Sequence, residues 1–294
     1  MAVAYPLQRI QDWCTQQWVI LRGRKINPEE YTWLTGPFGN LNGIGEEFIH
    51  QLAEKEQLTI RRNVPDKGLL PSIENLNLPA AARSALSAEV IRFYENTAEY
   101  TLNFTVKWNP LFKPFGILVN KFFSSRIRQL NIPVTNTDHT EPISSEIITL
   151  SDPETGAVKY TIWFRTQQSS GRVIYSGIYG TCTLPSGQTC VKAIFPLPKG
   201  NATVIMQPEV DAGGALILDS SGKQTGDAGF YFLLNDAKGN YWTQFIRSFR
   251  DRLVIAAEDD HLRAEQTMTL WNRKVMTLYY TIHHKDMEKV ATPA

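Results

Sequence analysis

The chain has 294 residues, 43% hydrophobic and 11% aromatic, enough to bury a large core and to exclude disorder for its bulk. Thirty basic against twenty-nine acidic residues leave a formal charge of +1, so no global field favours DNA, RNA or an acidic partner, and no nucleic-acid partner is expected. Met1 to Gln8 carries neither a basic start with an apolar run nor a small-residue cleavage site. Three cysteines are too few for a disulfide framework, and together these features predict a cytoplasmic protein.

Leu7, Ile10, Cys14, Trp18 and Leu21 recur at spacings of three and four and predict an amphipathic helix over 6–21. Asn27-Pro28-Glu29-Glu30 carries the signature of a second helix start, with Asn as cap, Pro in the first turn and Glu30 completing a capping box. A glycine-rich link over 36–45 leads to a helix over 46–57. Residues 65–79 read as loop, and a further helix over 80–95 shows Leu86, Val90 and Phe93 on one side. Residues 1–97 are therefore expected to be a helical region packed on a sheet.

After Thr97 the pattern changes to alternation. Tyr100, Leu102, Phe104 and Val106 share one face of a strand that stops at Asn109-Pro110. Leu111 to Phe123 is the most apolar stretch and predicts a helix running on to about residue 130. It is too short and too interrupted by Lys113, Asn120 and Lys121 to cross a bilayer, which needs roughly 20 apolar residues. With Lys113, Lys121, Arg126 and Arg128 flanking it, this helix suits peripheral membrane contact through Leu111–Phe123 or a position over an apolar cavity.

From Ser144 onward turn signals such as Asp152-Pro-Glu-Thr-Gly156, Pro185-Ser-Gly187, Pro198-Lys-Gly-Asn201 and Asp236-Ala-Lys-Gly-Asn240 punctuate segments rich in Val, Ile, Thr, Tyr and Phe. They predict about ten to twelve locally connected antiparallel strands, with residues 98–286 forming the β domain and 287–294 a disordered tail. The fold class expected is mainly β with an α-helical N-terminal region, its meander closed into a barrel or bent into a strongly curved sheet. In architecture alone, with no shared motif, this resembles the lipocalin-like and other calycin carriers. A helix-grip fold of the lipid-transfer type is the alternative, but that fold closes on a long helix whereas Leu262 to His284 reads as a β-hairpin.

Catalytic signatures are absent: there is no Gly-x-Ser-x-Gly elbow, His-Glu-x-x-His zinc helix or Gly-x-x-x-x-Gly-Lys phosphate loop, and neither cofactor nor metal is expected. Asp138-His139 with Glu141 and Asp259-Asp260-His261 could each supply a base or weak metal ligands but read as solvated loops, and His283-His284 is no pair because adjacent strand residues point to opposite faces. Cys182 and Cys190 lie symmetrically about Ser186, where a hairpin would set them opposite one another as small apolar residues, a redox pair or joint ligands of a metal. The polar residues that alternate with apolar ones are the candidate ligand contacts. Arg165 shares a face with Trp163, while Tyr175 and Tyr179 share the next strand's face. Arg247 falls in phase with Tyr241, Phe245 and Phe249, and Tyr279 and His283 in phase with Thr277 and Thr281. An arginine among aromatics suits a carboxylate or phosphate headgroup. Binding of a small apolar or amphipathic, lipid-like molecule in a barrel cavity is the function expected. A cofactor-independent enzyme of the isomerase or cyclase type and a partner-binding module are the alternatives.

Overall fold

A computed structural model of the chain describes residues 2–6, 10–40, 45–113, 141–168 and 171–286. Strand formation follows the alternation. In β3 (Tyr100–Trp108) the four residues expected on one face are buried, and their neighbours are half-buried or exposed. Between β3 and the end of the described chain lie β4 (Glu141–Ser151), β5 (Val158–Gln167), β6 (Val173–Thr183), β7 (Thr189–Leu197), β8 (Gly200–Val210), β9 (Leu216–Asp219), β10 (Gly229–Asn235), β11 (Tyr241–Phe245), β12 (Phe249–Glu258), β13 (His261–Leu270) and β14 (Arg273–His284). The helical N-terminal third adds two short strands, β1 (Arg24–Ile26) on β11 and β2 (Thr59–Arg62) on β4. All pairings between these strands are antiparallel, and the hairpin expected at the C-terminal end forms from β13 and β14.

The expected barrel is corrected by two seams. The strands run in the order β1-β11-β10-β8-β7-β6-β5-β4 and then β3-β14-β13-β12-β9. The two parts meet between β3 and β4 through two residue pairs, Asn103 with Pro142 and Phe104 with Glu141. One edge of β8 is divided: Gly200–Ile205 pairs with β10 and Gln207–Val210 with β9. The result is a curved, forked sheet and not a barrel closed along its whole length. The physical reason is that one strand edge offers each backbone N–H once, so β10 and β9 must share β8 between them.

Both faces of this sheet are covered. Phe48, Ile49, Leu52 and Ala53 of a helix over Glu47–Glu56 pack on the outer face, against Ile148, Leu150, Ile162, Phe164, Ile178 and Ile194. On the inner face, Leu69, Leu70, Ile73 and Leu76 join Val90, Phe93 and Tyr94 against residues from β3, β5, β7, β8 and β12–β14. The helix expected over 80–95 is broken into Ala80–Ala85 and Ala88–Glu95. Leu86 turns into the core in an extended conformation, and the Ser87 N–H donates to the Gly214 carbonyl at 3.0 Å, out of the helical ladder. The second helix start fails differently. Asn27 makes its capping contacts, accepting from Glu29 N at 3.2 Å and donating to Glu30, but the chain continues as successive turns. Trp33 and Leu34 are drawn into a core with Ile205, Tyr231 and Leu233, and half-buried Lys192 clamps the carbonyls of Trp33 and Thr35 at 3.2 and 3.1 Å.

The first helix spans Ile10–Arg22, but its buried residues are Gln16, Val19 and Ile20. Of the apolar stripe read from the sequence, Ile10, Cys14, Trp18 and Leu21 are exposed, and Leu7 lies outside the described residues. The apolar helix expected over 111–130 begins as a turn at Leu111–Lys113 and from residue 114 onward also lies outside them, as does the expected tail over 287–294. Ile49, with no exposed surface, reports on the helix-to-sheet contact. Ile49→Ala is expected to cost ~2–5 kcal/mol in urea denaturation, the range for deleting a fully buried aliphatic chain.

Candidate functional site

The inner face of the sheet borders a cavity of about 370 Å³, walled by β3–β10 and β12–β14 and by Leu69, Phe93 and Tyr94. Its surface is overwhelmingly apolar, with Phe104, Trp108, Phe195, Phe230 and Phe249 among the aromatics. Tyr175 and Tyr179, both half-buried, also line the cavity.

Arg165 is the cation of the cavity. Only 5% exposed, its guanidinium stands 4.2 Å from the Trp163 ring centroid and 4.1 Å from that of Tyr175, with Tyr280 at 5.6 Å. Backbone register builds this sandwich: Arg165 pairs with Tyr175 across β5 and β6, and Trp163 pairs with Gly177. A Cβ at position 177 would come within 3.0 Å of the Tyr175 ring, so glycine leaves that ring the room to turn over the guanidinium. Trp163 is fixed by its Nε1–H, which donates to Ser145 Oγ at 2.9 Å. Just beyond Arg165 a β-bulge makes Ile174 the extra residue of β6. Strict alternation would put Val173 in phase with Tyr175; the bulge inverts this, so that Ile174 lines the cavity and Val173 packs toward the helix over Glu47–Glu56. Arg165 Nε has no hydrogen-bond partner, and among the described residues no carboxylate comes within ion-pair distance of the guanidinium.

A second polar group lines the same cavity. Asp251 on β12 is 5% exposed; Gln266 Nε2 donates to its Oδ2 at 2.8 Å, and the Tyr280 hydroxyl donates to Gln266 Oε1 at 3.2 Å. Asp251 Oδ1 has no partner. Burial pushes this carboxyl up to about 7, with the negative charge of Asp219 adding to the shift and the bond from Gln266 opposing it. The hydroxyl of Tyr175 donates to that of Tyr179 at 2.7 Å. Burial raises both tyrosines, Tyr179 to about 12, so both remain protonated donors at neutral pH.

Of the residues chosen from sequence, the fold brings Arg165, Tyr175 and Tyr179 together. Arg247, Tyr279 and His283 lie elsewhere. β11 ends at Phe245, so Arg247 is exposed in the turn to β12 and not in phase with the aromatics. Tyr279 and His283 are on the outer face of β14, where Tyr279 meets Lys107 and His283 packs on the His261 ring. The inner face of that strand carries Met276, Leu278, Tyr280 and Ile282. Asp251, Gln266 and Tyr280 were missed, although each interrupts an alternating apolar row: Phe249, Leu253 and Ile255 flank Asp251 in phase, and Leu262, Ala264 and Met268 flank Gln266. A polar residue inside such a row was the available signal.

The remaining clusters do not reach the cavity lining. Cys182 and Cys190 do face each other across β6 and β7; both are free thiols, buried and pushed up to about 11 and about 12 by desolvation. His261 bridges Asp260 at 2.8 Å and Glu258 at 3.2 Å in the turn joining β12 to β13. Asp138 and His139 lie outside the described residues. Among the described residues no three His, Cys, Asp or Glu side chains form a metal cluster.

No family model matches the chain, and no solved structure matches it. Over 243 residues, 82% of its length, the chain is 27% identical to a protein of Bacillus subtilis (strain 168) described as the uncharacterized membrane protein YndJ. The chain spans 41% of that relative's length. No described helix of the chain is long and apolar enough to cross a membrane. The relative's description bears on the expected cytoplasmic setting, which rests on the Met1–Gln8 segment and the cysteine count.

Asp251 makes stability depend on pH in an unusual direction. Unfolded, an aspartate loses its proton near pH 4; folded, Asp251 keeps its proton to about 7. The folded state therefore binds more protons between these values, and this residue's contribution falls as pH rises from about 4 to about 7 and is level above. Asp251→Asn removes the dependence, so its stability relative to the parent is expected to rise across that window by up to ~4 kcal/mol. Urea midpoints at pH 5 and pH 8 measure it, and a gap that does not widen would mean that folded Asp251 titrates as an ordinary carboxylate.

Proposed function

We propose that the chain binds a small amphipathic, lipid-like molecule in the inner cavity, with the apolar part against the aromatics and an anionic headgroup on Arg165. The observation that carries this reading is a buried guanidinium, sandwiched by Trp163 and Tyr175, with a free Nε in a cavity otherwise almost wholly apolar. A buried cation is costly unless paired, and a planar fork of donors is matched by a carboxylate or phosphate. The cavity volume falls within the usual range for small-molecule sites. A solid core, which a purely structural module calls for, would leave no such space.

The test is native purification, extraction with organic solvent and mass spectrometry against a matched control protein, followed by calorimetric titration with dodecanoate. A stoichiometric amphipathic anion is expected in the extract. Arg165→Met is expected to weaken dodecanoate at least tenfold, the ~1.4 kcal/mol or more of a charge-assisted contact. Loss of the extracted molecule with no affinity for dodecanoate would overturn the reading. A bound compound that emerges chemically altered would move it to the enzyme alternative.

One observation favours a second reading, a docking role for the first helix. Ile10 and Leu21 are 76% and 66% exposed on the same side as Trp18, next to the exposed cations Arg22, Arg24 and Lys25. An apolar stripe bordered by cations suits an anionic bilayer surface, and the relative described as a membrane protein agrees with such a setting. The chain is expected to co-sediment with vesicles containing phosphatidylglycerol, and Ile10→Ser with Leu21→Ser to abolish this without lowering dodecanoate affinity. Equal sedimentation of parent and double variant would exclude the stripe as the contact.

A further inference from the structure

Asp251 gives the cavity a second demand. Its side chain is buried, aligned by Gln266 on one oxygen only, and lines the same space as Arg165. Oδ1 is unpartnered. Leaving a buried carboxyl oxygen without a partner is expensive, and a methylene of an apolar tail cannot supply one. Arg165 does not relieve it. Among the described residues no ion pair joins the two groups, and Asp251 Oδ1 and Arg165 Nε, which line the same cavity, are each left without a hydrogen-bond partner. The two polar groups are thus separate contacts.

Resting on the proposed cavity reading, we propose that Asp251 Oδ1 is a second ligand contact, and that the site selects, among amphipathic anions, those carrying a hydroxyl part-way along the apolar chain. The chemistry singles out a hydroxyl. Gln266 Nε2 already donates to Oδ2, so a carboxyl proton, when present, sits on Oδ1 and makes it a donor; when absent, Oδ1 is an acceptor. A hydroxyl donates and accepts, and so satisfies Oδ1 in either state. A keto group answers only the protonated acid, and an ammonium answers only the carboxylate.

The experiment titrates the full chain at pH 8.5 with dodecanoate and with the isomeric monohydroxydodecanoates, one for each carbon beyond the carboxyl carbon. At least one isomer is expected to bind ten times tighter than dodecanoate. The gain should vanish in Asp251→Leu and, without any variant, when that isomer's hydroxyl is replaced by a methoxy group, which cannot donate. If dodecanoate binds and no isomer binds better, or if the methoxy analogue keeps the gain, the second contact is overturned while the cavity reading stands. If neither dodecanoate nor any isomer binds, both fall. The methoxy comparison decides the matter even if Asp251→Leu does not fold.

Discussion

A guanidinium taken out of water must be compensated by whatever surrounds it, and Arg165 is met by π faces and by the hydroxyl of Tyr280. Trp163 precedes it on the same side of β5, and Tyr175 faces it from β6. Each ring is placed by something else: Trp163 by Ser145, Tyr175 by the missing side chain at Gly177 and by its bond to Tyr179. Stacking satisfies the faces of the guanidinium and leaves in-plane N–H groups for hydrogen bonds, which is the geometry a planar anion meets. The bulge at Ile174 then restores an apolar wall immediately beyond the charge, so that the cation is a point on an apolar surface and not the end of a polar channel.

Asp251 obeys the opposite logic. Had the fold used it to neutralise Arg165, an adjacent cation would hold it below the usual carboxylate range. Instead desolvation dominates, and the like charge of Asp219 works in the same direction. A protein that keeps a cation and a carboxyl in one cavity without joining them forgoes a Coulombic gain that would help offset burying both. Such an arrangement is consistent with groups turned toward a third party, because an internal ion pair would close both to a ligand.

How far the sequence could be read depended on phase. Alternation located nearly every strand, since one buried face imposes a period of two, and it assigned β3 correctly. It failed where both faces are buried or both are mixed. On β14 the polar side, with Tyr279 and His283, attracted attention as a ligand surface, yet the cavity takes the more apolar side, with Tyr280. At Arg247 the error was one of continuity: the aromatic period was carried through a turn that no glycine or proline announces. The first helix shows a related limit. Its strongest apolar stripe is the exposed one, because packing onto β11 is made by Val19 and Ile20, and periodicity reports amphipathicity without saying which surface meets the protein.

The cavity lies on the inner face of a sheet that is curved but not closed into a barrel, its two parts meeting at β3–β4 through two residue pairs and β9 joining β8 through four. Part of that space is taken up from outside the sheet: Leu69, Phe93 and Tyr94 enter against the inner face. What they do not fill is the space around Arg165 and Asp251. Packing alone would favour larger aliphatic residues at those two positions, which would shrink the cavity and remove two buried charges at once. Their presence is the feature of this core that hydrophobic packing does not account for.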